Sequence, residues 1–104
     1  MSEQFRVPEV NVIESSQGFA VEVLGRTGLR YTEGGRDLFI DSEVLAAGFG
    51  LLVIANSIQN WGPTPRSSSD MERAERVRII ENIQRAFASE GQKVEVQPEN
   101  WRVA

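Results

Sequence analysis

The chain has 104 residues, of which 40% are hydrophobic and 25% are charged, and this composition excludes a disordered or fibrous protein. Because it contains neither cysteine nor histidine, disulfides, thiolate metal sites and most familiar catalytic arrangements are excluded, and we predict no metal, no cofactor and no catalytic residue. The net charge of -4 arises entirely before residue 61, where eight acids accompany four bases; this disfavours nucleic acid and membrane surfaces as partners.

The sequence indicates one domain over residues 1–104, with loosely ordered tails at 1–9 and 98–104. Its N-terminal residues are polar, so we predict no secretory signal and a cytoplasmic location. The longest apolar run, Val44 to Ala55, contains two glycines and is shorter than the roughly 20 residues that a membrane-spanning helix needs. We therefore predict that this run belongs to the core.

A first β-hairpin is predicted around residues 15–18. Apolar residues alternate with mostly polar or small ones on both sides of this turn, namely Val10, Val12, Phe19, Val21 and Val23. If Glu14 lies opposite Phe19, all five of these apolar side chains share one face of the sheet. In the same register, Ile13 would lie on the other face.

A second hairpin is predicted at Gly34-Gly35, because a two-residue turn needs positive φ at both positions. This turn sets Tyr31 opposite Leu38 and Leu29 opposite Ile40. After it, the acidic and serine-containing segment from Asp41 to Gly48 has the pattern of a short capped helix that ends at glycine. Leu51 to Ile58 then predicts a buried strand.

One long helix is predicted near the C-terminus. Ser69 and Glu72 have the spacing of a capping box, and an apolar stripe follows at intervals of three and four: Ala74, Val77, Ile80, Ile83 and Phe87. Lys93 to Gln97 alternates like a last short strand. The predicted fold class is α+β: an antiparallel sheet of hairpins packed on one long C-terminal helix, with a short helix in the middle.

The sheet face turned away from the long helix is predicted to bind a partner, because charges and apolar anchors are mixed there. An equally open alternative is that the segment around residues 44–50 covers this face. Tryptophan and arginine are favoured at interfaces, although Trp61 also suits the edge of a core. The candidate partner-binding residues are Glu22, Arg26, Arg30, Asp37, Phe39 and Trp61.

Enzymatic chemistry finds little support in the residues. Asp41 and Glu43 are the nearest candidates for a carboxylate pair, but capping a helix explains them more simply. The serines at 67–69 have no histidine to activate them. A carboxylate-based hydrolase therefore remains a minor alternative.

Four stretches together resemble the immunity protein 74 family of small bacterial proteins. They are Gly25 to Tyr31, Leu38 to Leu45, Ser57 to Trp61 with the prolines after it, and Ile79 to Ile83. The resemblance covers about Val10 to Val96 and implies an immunity protein of a polymorphic toxin system, which binds and neutralises a cognate toxin domain in the cytoplasm. It brings no catalytic residues and no binding motif.

We therefore expect a non-enzymatic inhibitor whose acidic half attracts a basic toxin such as a nuclease. The other alternative is a structural or assembly module that forms a homodimer through an exposed strand edge.

Overall fold

A computed structural model describes residues 3–45, 50–62 and 71–103. These described residues form seven strands, one long helix and a 3₁₀ turn at Ala55–Ser57. The elements are β1 (Phe5–Glu9), β2 (Val12–Ser15), β3 (Phe19–Val23), β4 (Thr27–Glu33), β5 (Arg36–Val44), β6 (Gly50–Ile54), α1 (Arg73–Ser89) and β7 (Lys93–Gln97). The predicted α+β class is confirmed.

The strands form one curled sheet in chain order from β1 to β7. Neighbouring strands are antiparallel except for β6 and β7, which run parallel. The predicted all-antiparallel sheet is wrong at this pair. A parallel neighbour requires a long crossover connection, and α1 lies in the connection between these two strands.

The second hairpin is confirmed, with Tyr31 opposite Leu38 and Leu29 opposite Ile40. Both glycines of its turn have positive φ.

The predicted register of the first hairpin is wrong by one residue, because Ile13 lies opposite Val21 and Val12 lies opposite Glu22. Its loop has three residues and ends at Gly18, whose φ is 97°. This loop turns Ile13 into the core and Val12 away from it, so that Ile13 does not project from the outer side.

The short helix predicted from Asp41 to Gly48 is wrong over 41–44, which continue strand β5, and residues 46–49 lie outside the described part. Ser42, which suggested a helix cap, pairs with Val53 of β6 and is buried. Its hydroxyl accepts a hydrogen bond from the Gly28 backbone N–H at 3.0 Å. Tertiary pairing therefore overrides the local capping signal.

Helix α1 is predicted correctly, and its buried residues pack with the sheet in one hydrophobic cluster. Of the predicted stripe, Ile80, Ile83 and Phe87 are buried, whereas Ala74 is exposed. Ser69 of the predicted capping box lies outside the described residues, and Glu72 makes no side-chain capping bond. The face of the sheet that carries α1 is called the inner face below.

A polar network joins α1 to the inner face through Tyr31. Asn82 donates from Nδ2 to the Tyr31 hydroxyl at 2.9 Å, and that hydroxyl donates to Glu33 Oε2 at 3.0 Å. Arg78 of α1 also donates a hydrogen bond to the Glu33 carboxylate and forms an ion pair with it. Burial by itself would raise the pKa of Glu33, but the bonds from Arg78 and Tyr31 outweigh this effect and lower it.

A second link ties the N-terminal segment to α1. Arg85 Nε donates to Glu3 Oε1 at 2.8 Å, and Ser15 Oγ donates to the other carboxylate oxygen at 2.6 Å. Burial opposes ionisation of Glu3, yet these two bonds and the charge of Arg85 lower its pKa overall. Residues 5–9, which fall in a predicted tail, thus form β1, and Trp101 in the other predicted tail is buried.

The two lowered pKa values predict a loss of stability in acid. Glu3 and Glu33 ionise more readily in the folded chain than in the unfolded chain, where the ordinary pKa is 4.5. Their contribution is therefore complete above that value and is lost as the pH falls below it. We expect the free energy of unfolding, measured by denaturant titration, to decline as the pH falls below about 5.

The double variant Glu3→Gln/Glu33→Gln should have a flatter pH profile than the unaltered chain. The control is Glu14→Gln, because Glu14 pairs with exposed Arg6 at the surface. An unchanged acid slope in the double variant would contradict this origin of the pH dependence.

Candidate protein interface

The outer face of the sheet, which points away from α1, is set by strict alternation along β5. Leu38, Ile40 and Ser42 point inward and are buried. The residues between and beside them are exposed or half-buried and define the outer face of this strand, namely Asp37, Phe39, Asp41 and Glu43. Sheets with a single covered side alternate in this way.

Four of the six predicted contact residues come together on this outer face. Glu22, Arg30 and Phe39 occupy directly opposite positions on β3, β4 and β5. Arg30 Nη1 lies 2.9 Å from Glu22 Oε1, and Arg30 Nε lies 3.9 Å from Asp37 Oδ2. These ion pairs are exposed and contribute little to stability, but they fix the direction in which the charges point.

The other two predicted contact residues lie elsewhere. Arg26 is exposed in the turn between β3 and β4, at one end of the sheet, where it lines a shallow pocket with Glu43 and Val44. Trp61 is half-buried against the core, with its ring 6.2 Å from that of Tyr31 and the Arg36 guanidinium 4.1 Å above it. Because Tyr31 points to the inner face, Trp61 does not share a surface with Phe39.

Two further carboxylates stand on the outer face. Asp41 and Glu43 are exposed, and neither side chain forms an ion pair or a hydrogen bond with a described residue. Sequence reasoning missed them as contact residues because the capping signal assigned them to a helix. The alternation of residues 37–43 is the signal that could have placed them on the same face as Phe39.

Apolar side chains lie beside these carboxylates. Phe39 is half-buried on β5, and Leu52 and Ile54 are half-buried on β6. Leu52 stands directly opposite Glu43. Mixed apolar and ionic surface of this kind is typical of protein interfaces, in which a few large side chains make the central contact.

The chemistry of this surface suits binding better than catalysis. Asp41 and Glu43 are exposed on a sheet face, without the apolar enclosure that a general acid uses. Within the ranges 3–45, 50–62 and 71–103, no three acidic, cysteine or histidine side chains are grouped to hold a metal ion.

Comparison with known proteins bears on this surface. The family model described as immunity protein 74 matches residues 20–97. The chain belongs to the immunity protein 74 family. Membership implies an immunity protein of a toxin system and favours a non-enzymatic role. Neither the curated proteins nor the solved structures contain a match.

The immunity protein 74 match begins in β3 and ends with β7, so it includes all six predicted contact residues and both added carboxylates. Strands β1 and β2 and the buried Trp101 lie outside it. Among the described residues, no helix has the length and apolar character needed to cross a membrane.

Outer-face charges should contribute little to folding. We expect Asp41→Asn/Glu43→Gln to change the free energy of unfolding by no more than about 0.5 kcal/mol, because both carboxylates are exposed and lack ionic partners in the described structure. Ile40→Ala, at the inward-facing position directly before Asp41, should cost about 2–5 kcal/mol by leaving a cavity. Denaturant unfolding measures both. A large loss in the carboxylate variant would mean that these side chains support the fold.

Proposed function

We propose that this immunity protein 74 family member binds a cognate toxin domain through the outer face and neutralises it as a stoichiometric complex, without catalysis. The observation that carries the proposal is the exposed pair Asp41 and Glu43 beside half-buried Phe39. Neither carboxylate has an ionic partner among residues 3–45, 50–62 and 71–103, so the two add repulsion within that part of the chain, which a cationic partner would relieve. Phe39 supplies the apolar contact that an ionic surface by itself lacks.

The charge of this face favours a toxin with a basic surface, such as a nuclease. Opposite charges accelerate diffusional encounter and suppress wrong partners. We place the complex in the cytoplasm, where a nuclease toxin would meet its substrate. A toxin whose basic residues bind nucleic acid would be blocked if the outer face covered those residues.

Self-association through the edge strand β1 is the alternative assembly, and features of this strand disfavour it. This edge strand carries exposed Val7, but Pro8 removes one backbone donor and the pairing with β2 is irregular between Arg6 and Glu9. Proline and bulges of this kind hinder pairing between sheet edges. Sedimentation at several concentrations separates the two assemblies, since a dimer through β1 would form without toxin.

Growth of a sensitive bacterium tests neutralisation. The probe is a candidate toxin domain chosen from the chromosomal neighbourhood of the gene, expressed with and without this chain. We expect growth to be restored only when the folded immunity protein is present, because a stoichiometric inhibitor must match the toxin in amount. Unchanged toxicity at matched expression would reject neutralisation of that domain.

Association kinetics test the role of charge. We expect Asp41→Lys/Glu43→Lys to lower the association rate constant for the same toxin domain about ten-fold at low salt and to weaken its salt dependence. The control, Glu90→Lys/Glu72→Lys, changes net charge equally at the two ends of α1. Equal effects of both double variants would assign the attraction to net charge and not to the outer face.

A further inference from the structure

The Phe39 ring rests directly on Gly28. A β-carbon placed on Gly28 would lie 2.6 Å from Cε2 of Phe39, closer than such atoms approach in proteins, and 3.0 Å from Cζ of the same ring. Gly28 also has a φ of 94°, a backbone conformation that residues other than glycine rarely adopt. The backbone conformation therefore favours glycine here, and a side chain at this position would also force the Phe39 ring to move.

The backbone beneath the ring is fixed from two sides. The Gly28 N–H donates to Ser42 Oγ at 3.0 Å, and Ser42 is only 3% exposed. The Gly28 carbonyl accepts a bond from the Leu24 N–H at 3.0 Å. The pairing of β4 with β5 shifts register between Thr27 and Leu29, which places Gly28 in the irregularity.

The contact with Phe39 gives a reason for glycine at position 28 of the Gly25 to Gly28 segment. Gly25 lies in the turn between β3 and β4 and Gly28 is the second residue of β4, yet a β-carbon on Gly25 would meet nothing within 4 Å. Gly18 in the first hairpin has nearly the same φ as Gly28, 97°, and is likewise unobstructed. Gly28 differs from both because an aromatic ring occupies the space that its side chain would fill.

We propose that Gly28 and Ser42 are positioning residues, which hold the Phe39 ring in place on the outer face as a preformed apolar contact for the toxin. The binding role rests on the proposed function. A ring that is already ordered loses less rotational freedom on binding, and this difference corresponds to roughly a three- to ten-fold gain in affinity. Its partner on the toxin should be an apolar recess bordered by arginine or lysine.

The position of the ring is tested in the free chain by nuclear magnetic resonance. We expect nuclear Overhauser contacts between the Gly28 α-protons and the Phe39 ring, with a ring-current shift of at least one α-proton. Phe39→Leu should remove that shift. Absence of both the contacts and the shift would overturn the proposal without involving any partner.

The role in binding is tested with the same candidate toxin domain as in the growth experiment. We expect Gly28→Ala to raise the dissociation constant about ten-fold, mainly through faster dissociation, because the ring must move. In a Phe39→Leu background the same change should have little further effect. Gly18→Ala, which meets the same backbone constraint without a neighbouring ring, should leave affinity unchanged.

Unfolding measurements on each variant serve as the control and should show that the folded form predominates under the binding conditions. An equal loss of affinity from Gly28→Ala in both backgrounds would overturn the positioning role, because the effect would then not pass through the ring. If the unaltered chain fails to bind, both the proposed function and the binding role of the Phe39 ring are contradicted. The resonance experiment still decides whether the ring is held.

Discussion

Burial of α1 against one side of the sheet divides the molecule into two chemically different faces. The buried isoleucines of the helix join inward-pointing residues of the strands in a single core cluster. Because strand side chains alternate, every residue that this contact draws inward fixes the outward direction of its neighbours. The composition of the outer face is therefore a consequence of how the helix packs.

The polar network makes this packing specific. Apolar burial tolerates small shifts of a helix over a sheet, whereas the bonds joining Asn82 to Tyr31 and Arg78 to Glu33 require one placement. Burial also raises the pKa of Tyr31 above its ordinary value, and its hydroxyl donates to Glu33. On the outer face, by contrast, Asp41 and Glu43 have no such bonds among the described residues. The contrast is the reason for assigning the inner face to stability and the outer face to recognition.

Features governed by local chemistry could be predicted from the sequence. The Gly34-Gly35 hairpin and the long helix follow from turn conformation and apolar spacing, which involve few neighbours. The parallel pairing of β6 with β7 could not be predicted in this way. It depends on how α1 packs on the sheet, because that packing decides where the chain enters β7 and in which direction β7 runs. The extension of β5 over 41–44 also depends on its neighbours, since pairing with β6 outweighs a helix-cap pattern. The loop between β2 and β3 is one residue shorter than predicted, and for this reason Ile13 points to the inner face and Val12 to the outer face, the opposite of the prediction.

The candidate site could be predicted only where its residues follow the alternation of inward and outward side chains along a strand. Glu22, Arg30, Asp37 and Phe39 were placed on one face correctly, because β3, β4 and β5 pair without slippage at these positions. Trp61 follows a turn, and its placement against Tyr31 had no periodic signal. The contact of Phe39 with Gly28 arises at an irregularity in strand pairing, which sequence alternation does not reveal. Family membership added the toxin context that neither charge nor spacing contains.

The most direct test is a footprint of the toxin complex with a soluble paramagnetic probe that broadens exposed methyl and ring resonances. We expect toxin binding to protect Phe39, Leu52 and Ile54 on the outer face. Val103, which is 69% exposed near the C-terminus, should remain accessible to the probe. Protection of Val103 or of the solvent side of α1, with the outer face still accessible, would contradict the assignment of recognition to the outer face.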